Sequence, residues 1–300
     1  MSAHRADVVL LVANVVYGTA YVAQRVALFD VPPALLAFVR LAVASLVLAA
    51  YLPRPPGTAP LRGDGRKICW MGILGFGVAY ALSHLGLQRS TATNAALLIA
   101  VEPVSVMLLA PLTLGERLRP REAVGAALVL LGTTLVVVNG VPGLTVSVLP
   151  HWRGDLLLLL SGVAFASYSL LGRDVLARWN TRTVTARSIV WGAASMAPLA
   201  GLEWASGTRP SWTPPGLAAT LYLAVVVTAL AYVAWNYGLT HVSAPRAAIF
   251  INVQPVVGVA LGVWLLAERV TAYTILGAAL VVAGLAITSA GPGRYTEGRA

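Results

Sequence analysis

The stretch AYALSHLGLQRSTATNAALLIAVEPVSVMLLAPLTLGERLRPREAVGAALVLLG, Ala79 to Gly132, returns without a gap as AYVAWNYGLTHVSAPRAAIFINVQPVVGVALGVWLLAERVTAYTILGAALVVAG, Ala231 to Gly284. The offset is 152 throughout: Ala79-Tyr80 falls on Ala231-Tyr232, Pro103-Val104 on Pro255-Val256, Glu116-Arg117 on Glu268-Arg269, and Gly125 to Val129 on Gly277 to Val281. This is an internal duplication. In an apolar chain it raises the question of how often each copy crosses a membrane. An odd number of crossings inserts the copies upside down relative to each other, the arrangement on which alternating access is built.

Only 11% of the 300 residues are charged and 58% are apolar. A soluble chain of this length needs far more polar surface, and the apolar runs are too long and too many for buried core helices. The solvent is therefore lipid. The net charge of +10 comes from arginines scattered between apolar spans, with no basic domain outside them. That pattern excludes nucleic acid as a partner and suits an anionic membrane face. A single cysteine, Cys69, rules out an intramolecular disulfide and a thiolate metal cluster. Residues 8–28 are too long for a signal-peptide core and read as a retained first span.

Windows of about 20 apolar residues fall near Asp7–Leu28, Pro32–Leu52, Lys67–Leu87, Ser90–Ala110 and Pro120–Asn139. A second set falls near Arg153–Arg173, Val184–Glu203, Pro214–Leu239, Val242–Leu266 and Thr271–Ala290. Ten spans, five per copy, give an all-α integral membrane fold. Repeat 1 covers residues 1–139, a linker 140–152, repeat 2 covers 153–290, and 291–300 is a tail. With the N-terminus in the cytoplasm, inner loops and tails take Arg5, Arg54, Arg62, Arg66, Lys67, Arg117, Arg119, Arg121, Arg173, Arg178, Arg182, Arg246, Arg294 and Arg299. The outer side keeps Arg25, Arg89, Arg153, Arg209 and Arg269. The duplication is an internal control: Arg117, Arg119 and Arg121 correspond to Arg269, Thr271 and Tyr273. The copy that must be translocated has lost two of three arginines, as the positive-inside rule demands. Both termini are expected in the cytoplasm.

The paired segments TNAALLIAVEPVSVMLLAPLTLGERLRPREAVGAALVLLG and PRAAIFINVQPVVGVALGVWLLAERVTAYTILGAALVVAG resemble the two EamA repeats of the drug/metabolite transporter superfamily. VYGTAYVAQRVAL sits where that family has a Trp-Gly-containing first helix, with Tyr17 in place of the Trp. The resemblance covers essentially the whole chain, and the paired Glu-Arg is its most specific element. Among bacterial members the chain is most similar to the YddG-type aromatic amino acid exporters. What the resemblance implies is a ten-helix fold around a central cavity, in a bacterial inner membrane, exporting small metabolites without ATP and without a cofactor.

Polar and aromatic residues within the spans are the informative ones, because lipid-facing positions tolerate them poorly. In the first span Asn14, Tyr17, Tyr21 and Gln24 fall within about 80° of one face. In the third, Tyr80 and His84 are one turn apart. Their counterparts in the eighth are Tyr232 and Asn236, with Trp235 beside them and Thr228 a turn earlier. In the sixth, Ser161, Phe165 and Tyr168 share a face. These residues suit a cavity with aromatic walls and a few hydrogen-bonding groups for a small-molecule substrate. Single aromatics also serve as interfacial anchors, and Asn or Gln as bonds between helices. Asn14 is open to either role.

Glu102, in mid-span before Pro103, has uncharged Gln254 as its counterpart. It suits proton coupling or satisfaction of backbone groups around the proline. Pro103 and Pro255 interrupt equivalent spans at equal depth, as flexible points or as passive kinks. Arg40 and Arg187 hold similar places in the two copies, which reads as architecture. The small-residue segments Gly125–Gly132 and Gly277–Gly284 suit internal packing, in a monomer, or a dimer contact. No phosphate loop, zinc-binding His pair or nucleophile elbow is present. The reading is a secondary-active exporter of aromatic or neutral amino acids working by alternating access. A cationic-drug exporter, a passive channel and an intramembrane enzyme are the competitors.

Overall fold

The computed structural model describes residues 3–51, 63–114, 119–139, 151–239, 241–242 and 250–289, and every regular element among them is helical. The Glu116-Arg117 pair, nearly all of the 140–152 linker and the 291–300 tail lie outside the described residues. Helix α1 is Ala3–Asp30 and α2 is Pro33–Tyr51. Helix α3 begins as Gly65–Gly72, passes through a π-helical Ile73–Val78 and ends as Ala79–Leu87. There follow α4 (Ala92–Leu98), α5 (Val101–Leu114), α6 (Pro120–Asn139), α7 (Trp152–Arg178) and α8 (Thr181–Ala205). Helix α9 runs as Pro214–Leu221, a π-helical Tyr222–Leu230 and Ala231–Leu239. Helices α10 (Val253–Leu266) and α11 (Ala272–Ser289) complete the set. Helices are what an apolar solvent selects, because each satisfies its own backbone polar groups.

Among the described residues, seven helices are long and apolar enough to cross a membrane: α1, α2, α3, α6, α7, α9 and the α4–α5 pair taken together. Helices α10 and α11 are apolar but shorter. Helix α8 has 25 residues and carries Arg182, Arg187 and Glu203.

Helix starts are written in the sequence. Thr91 Oγ1 accepts from Asn94 N at 3.0 Å ahead of α4, and Asn180 Oδ1 accepts from Arg182 N at 3.0 Å ahead of α8. Thr213 caps α9, whose first turn holds Pro214. Such side-chain oxygens satisfy backbone donors that the first turn leaves free. Pro103 and Pro255 are each the third residue of a helix, α5 and α10. The interruption in the first repeat therefore lies just ahead of Pro103, at the turn of residues 99–100. A proline in a first turn loses no intrahelical bond, since its N–H has no partner there in any case.

The largest helix–helix contacts are α3 with α7, α6 with α11, α1 with α9, α2 with α8, α3 with α8, α4–α5 with α7, α1 with α10 and α2 with α9. The repeats are related by exchange of α1 with α7, α2 with α8, α3 with α9, α4–α5 with α10, and α6 with α11. That exchange turns this set of contacts into itself, so the packing has a pseudo-twofold axis. Helices α6 and α11 lie antiparallel. A Cβ added at Gly132 would sit 2.6 Å from Gly277 O, and one at Gly284 would sit 2.6 Å from Gly125 O. The small-residue faces of both helices are thus spent on each other within the chain. Helices α2 and α8 are antiparallel too, since the N-terminal residues Ala34 and Leu35 of α2 meet Glu203 near the end of α8.

Candidate functional site

The two π-helical segments are themselves repeat partners: the offset of 152 carries residues 73–78 onto 225–230, inside 222–230. Widened turns of this kind are concentrated at functional sites, and the aromatic residues gather around these two. Phe76 has its ring centroid 5.2 Å from Tyr168, 5.8 Å from Tyr232 and 6.3 Å from Tyr80. Tyr80 lies 5.2 Å from Phe165 and is stacked on His84 at 5.8 Å. Tyr17 meets Tyr232 edge-on at 6.2 Å. Repeat 1 supplies Tyr17, Phe76, Tyr80 and His84, and repeat 2 supplies Phe165, Tyr168 and Tyr232. The cluster is the seam between the repeats. Gly75 lets α3 come this close, because a Cβ there would lie 2.6 Å from the Cβ of Tyr168.

Arg40 of α2 reaches the same place. Its residue is 2% exposed. Its guanidinium carbon lies 4.1 Å from the centroid of the Tyr80 ring, and its Nε donates to Thr228 Oγ1 at 2.7 Å. Thr228 in turn donates to Leu223 O, five residues back, at 2.8 Å. The widened turn thus holds the hydroxyl that orients the arginine. Arg40 and Arg187 read alike in the sequence, but Arg187 is exposed. Sequence reasoning assigned Arg40 to architecture and passed over Phe76, an apolar residue in an apolar run that carries no polar signal.

The remaining expected site residues divide. His84 is fully buried, with Nδ1 3.1 Å from Pro33 O and Nε2 without a partner. Tyr168 shares a 2.7 Å hydrogen bond with Thr185. Asn14 is fully buried and its amide is engaged on both sides: Nδ2 donates to Leu10 O at 2.7 Å, and Oδ1 accepts from Gln254 Nε2 at 2.8 Å. Of the two roles open to Asn14, the structure has it bonding α1 to α10. Tyr21 packs there as well, with its Cδ2 3.0 Å from where a Gly258 Cβ would be. Trp235 is half-buried and makes no ring contact with the cluster. The side chain of Asn236 lies outside the described residues.

Glu102 makes no hydrogen bond or ion pair with any described side chain, whereas its counterpart Gln254 is held by Asn14. Tyr17, Glu102 and Tyr232 lie deep in the molecule, yet each keeps accessible surface. Where the sequence suggests an open chamber, the rings are in contact with one another.

One end of the bundle is knitted together between repeats. Glu203 accepts from Ala34 N at 3.0 Å and Leu35 N at 2.9 Å, capping α2. Glu268 accepts from Ala92 N at 2.7 Å and Thr93 N at 2.8 Å, capping α4. Asp155, fully buried, accepts from Ser90, from Asn94 Nδ2 at 3.1 Å and from the His151 ring at 2.6 Å. Asp30 accepts from Ser211 Oγ at 2.9 Å and from Thr213. Carboxylates at helix N-termini meet unsatisfied N–H groups and a favourable dipole. At the opposite end Asp64 ties α3 to Arg178 and Trp179 at 2.9 and 2.8 Å. Elsewhere on that end a cleft of about 630 Å³ opens between α1, α8 and α9, with Arg5, Val8, Arg182, Val233 and Tyr237 in its walls.

The model of the EamA-like transporter family matches residues 4–138 and again 152–290. The chain belongs to the EamA-like transporter family. The two matches are the two halves of the duplication, so this EamA-like transporter is a multi-pass, all-helical membrane protein built from two copies of the family's unit. It is 28% identical over 287 residues to an uncharacterized transporter of Archaeoglobus fulgidus, covering 95% of this chain and 98% of the relative. It is 29% identical over 292 residues to a "Probable terminal-alkyne amino-acid exporter" of Streptantibioticus cattleyicolor, covering 97% and 94%. It is 26% identical over 292 residues to a "Probable amino-acid metabolite efflux pump" of Escherichia coli, covering 93% of each. A solved crystal structure superposes with a TM-score of 0.63 at 23% identity, over 96% of this chain and 97% of that one. This likeness concerns the fold alone.

Proposed function

We propose that this EamA-like transporter crosses a bacterial inner membrane ten times, as two inverted five-helix repeats with both termini in the cytoplasm. It exports aromatic or neutral amino acids by secondary-active alternating access. The observation that carries this reading is the seam itself: rings from both repeats meet around two symmetry-related π-turns. A site shared between inverted halves is one that rocking of the halves exposes to either side. The antiparallel packing of α6 with α11 and of α2 with α8 supports the inversion. The arginine asymmetry supports the sidedness, with the carboxylate-capped end outside and the cleft facing the cytoplasm. Relatives bearing amino-acid export names support the substrate class.

The site of action is Tyr17, Tyr80, His84, Tyr168 and Tyr232, with Glu102 as the carboxylate available for coupling to protons. A cationic substrate is the competing reading, favoured by the unpaired Glu102 and opposed by Arg40 in the cluster. Uptake of a panel of labelled amino acids into inverted membrane vesicles tests the proposal. Accumulation of phenylalanine and tryptophan above the level of vesicles lacking the protein is expected. Uptake of organic cations alone overturns the substrate class.

A further inference from the structure

Arg40 has a donor edge with nothing on it. Its Nε is committed to Thr228 and its flat face to Tyr80. Its Nη1 is buried without a hydrogen-bond partner, and among the described residues no carboxylate lies within ion-pair distance of it. Its electrostatic neighbours are the tyrosines 80, 232, 17 and 21. A buried guanidinium is costly unless its donors are met, and here the surroundings supply an aromatic face and one hydroxyl but no counter-charge. The Nη1–Nη2 edge is the one that grips a carboxylate through two parallel hydrogen bonds. The Thr228 bond holds the fork in orientation, and the Tyr80 ring beneath it supports the charge.

We infer that Arg40 is the anion-binding pole of the transport site, taking the carboxylate of the substrate on its free edge while the rings around Phe76 and Tyr80 take the apolar body. This rests on the exporter reading and sharpens it, since the transported class becomes carboxylates with an apolar or aromatic side. The Thr228 hydroxyl on the π-turn is the positioning group. A change in that turn when the halves rock moves the hydroxyl and re-aims the arginine, which links carboxylate binding to the conformation of α9.

The test uses the whole protein in lipid nanodiscs with two probes, L-phenylalanine and L-phenylalanine amide. At about pH 6, below the α-amino titration range, both are ammonium ions with the same ring and differ only in the carboxylate. Affinities are read by calorimetry or by the rise in Tm. Phenylalanine is expected to bind wild type at least about tenfold more tightly than the amide, as loss of a paired charge-assisted contact requires. Arg40→Gln is expected to remove that preference and Arg40→Lys to keep part of it. An arginine that only braces α2 against α9 would leave the preference where it was. A smaller preference in wild type, or no binding of phenylalanine at millimolar concentration, overturns the assignment even if the glutamine variant fails to fold. Counterflow of labelled phenylalanine in proteoliposomes is measured separately. Its absence alongside a carboxylate preference that depends on Arg40 rejects the exporter reading and leaves the binding pole in place.

Discussion

Gly262 leaves the space that Glu268 fills: a Cβ at residue 262 would lie 2.8 Å from Glu268 Oε2. The chain gets there by ending α10 on Ala267 in the left-handed region (φ 52°), with Glu268 N donating back to Gly262 O at 3.2 Å. A left-handed residue at a helix end is a common stop, and this one swings the carboxylate onto the N-terminus of α4. Glu268-Arg269 is the second copy of the duplicated Glu-Arg pair, and its glutamate ties repeat 2 to repeat 1.

Removing that tie should loosen the capped end. Glu268→Ala should cost about 1–2 kcal/mol, the range for losing a helix cap in contact with the dipole. Gly262→Ala should cost at least as much, because its Cβ would meet Thr93 Oγ1 at 2.6 Å as well as the same carboxylate at 2.8 Å. The double variant should cost less than the sum of the two, because the loss of the carboxylate cap is shared between them. Tm in detergent checks this. Full additivity would separate the two residues.

Asn14 and Gln254 should behave as a coupled pair. Asn14→Leu leaves the part-buried Gln254 amide without its acceptor and should cost about 1–3 kcal/mol. The Asn14→Leu, Gln254→Leu pair should recover part of this through a positive coupling in a double-mutant cycle. Transport selectivity should be little altered by the cycle if Asn14 only joins α1 to α10. A change in substrate preference at equal abundance would return Asn14 to the substrate site.

Tyr80 touches Phe76, Phe165, His84 and Arg40 at once. Tyr80→Ala should reduce export of phenylalanine and tryptophan more than export of small neutral amino acids. Trp235→Ala, outside the ring cluster, should shift that ratio less. Loss of a packed aromatic costs about 3–5 kcal/mol of stability, so rates are compared at matched membrane abundance. Unchanged ratios for Tyr80→Ala would place the site elsewhere.

Alkaline phosphatase fused after Ala300 should be inactive, and the same enzyme inserted near Gly143 should be active. That pattern follows from a cytoplasmic C-terminus and an external 140–152 segment. The reverse pattern would invert the whole topology and with it the assignment of the capped end to the outside.

Some of the site was legible in advance because certain residue types are conspicuous in an apolar span. Tyr80, His84, Tyr168 and Tyr232 stand out on that ground, and their helical spacing puts them on inward faces. Arg40 stood out equally, but its resemblance in placement to Arg187 concealed that one is buried and the other exposed. Phe76 did not stand out at all. Pro103 and Pro255 marked the depth of an interruption, while the widened turns next to the aromatic cluster were in α3 and α9, where no proline signals them.

The sequence by itself determined that the chain is helical, apolar and doubled. Length, hydropathy and an offset of 152 are properties read along the chain, and lipid leaves a backbone few alternatives to the helix. Tertiary structure decided which side of each helix meets which neighbour. The π-turns change the angular register of everything after them. Whether an amide such as Asn14 is spent or free depends on a partner 240 residues away. Burial, pairing and the free edge of Arg40 are properties of the whole packing, and no spacing rule along a single helix contains them.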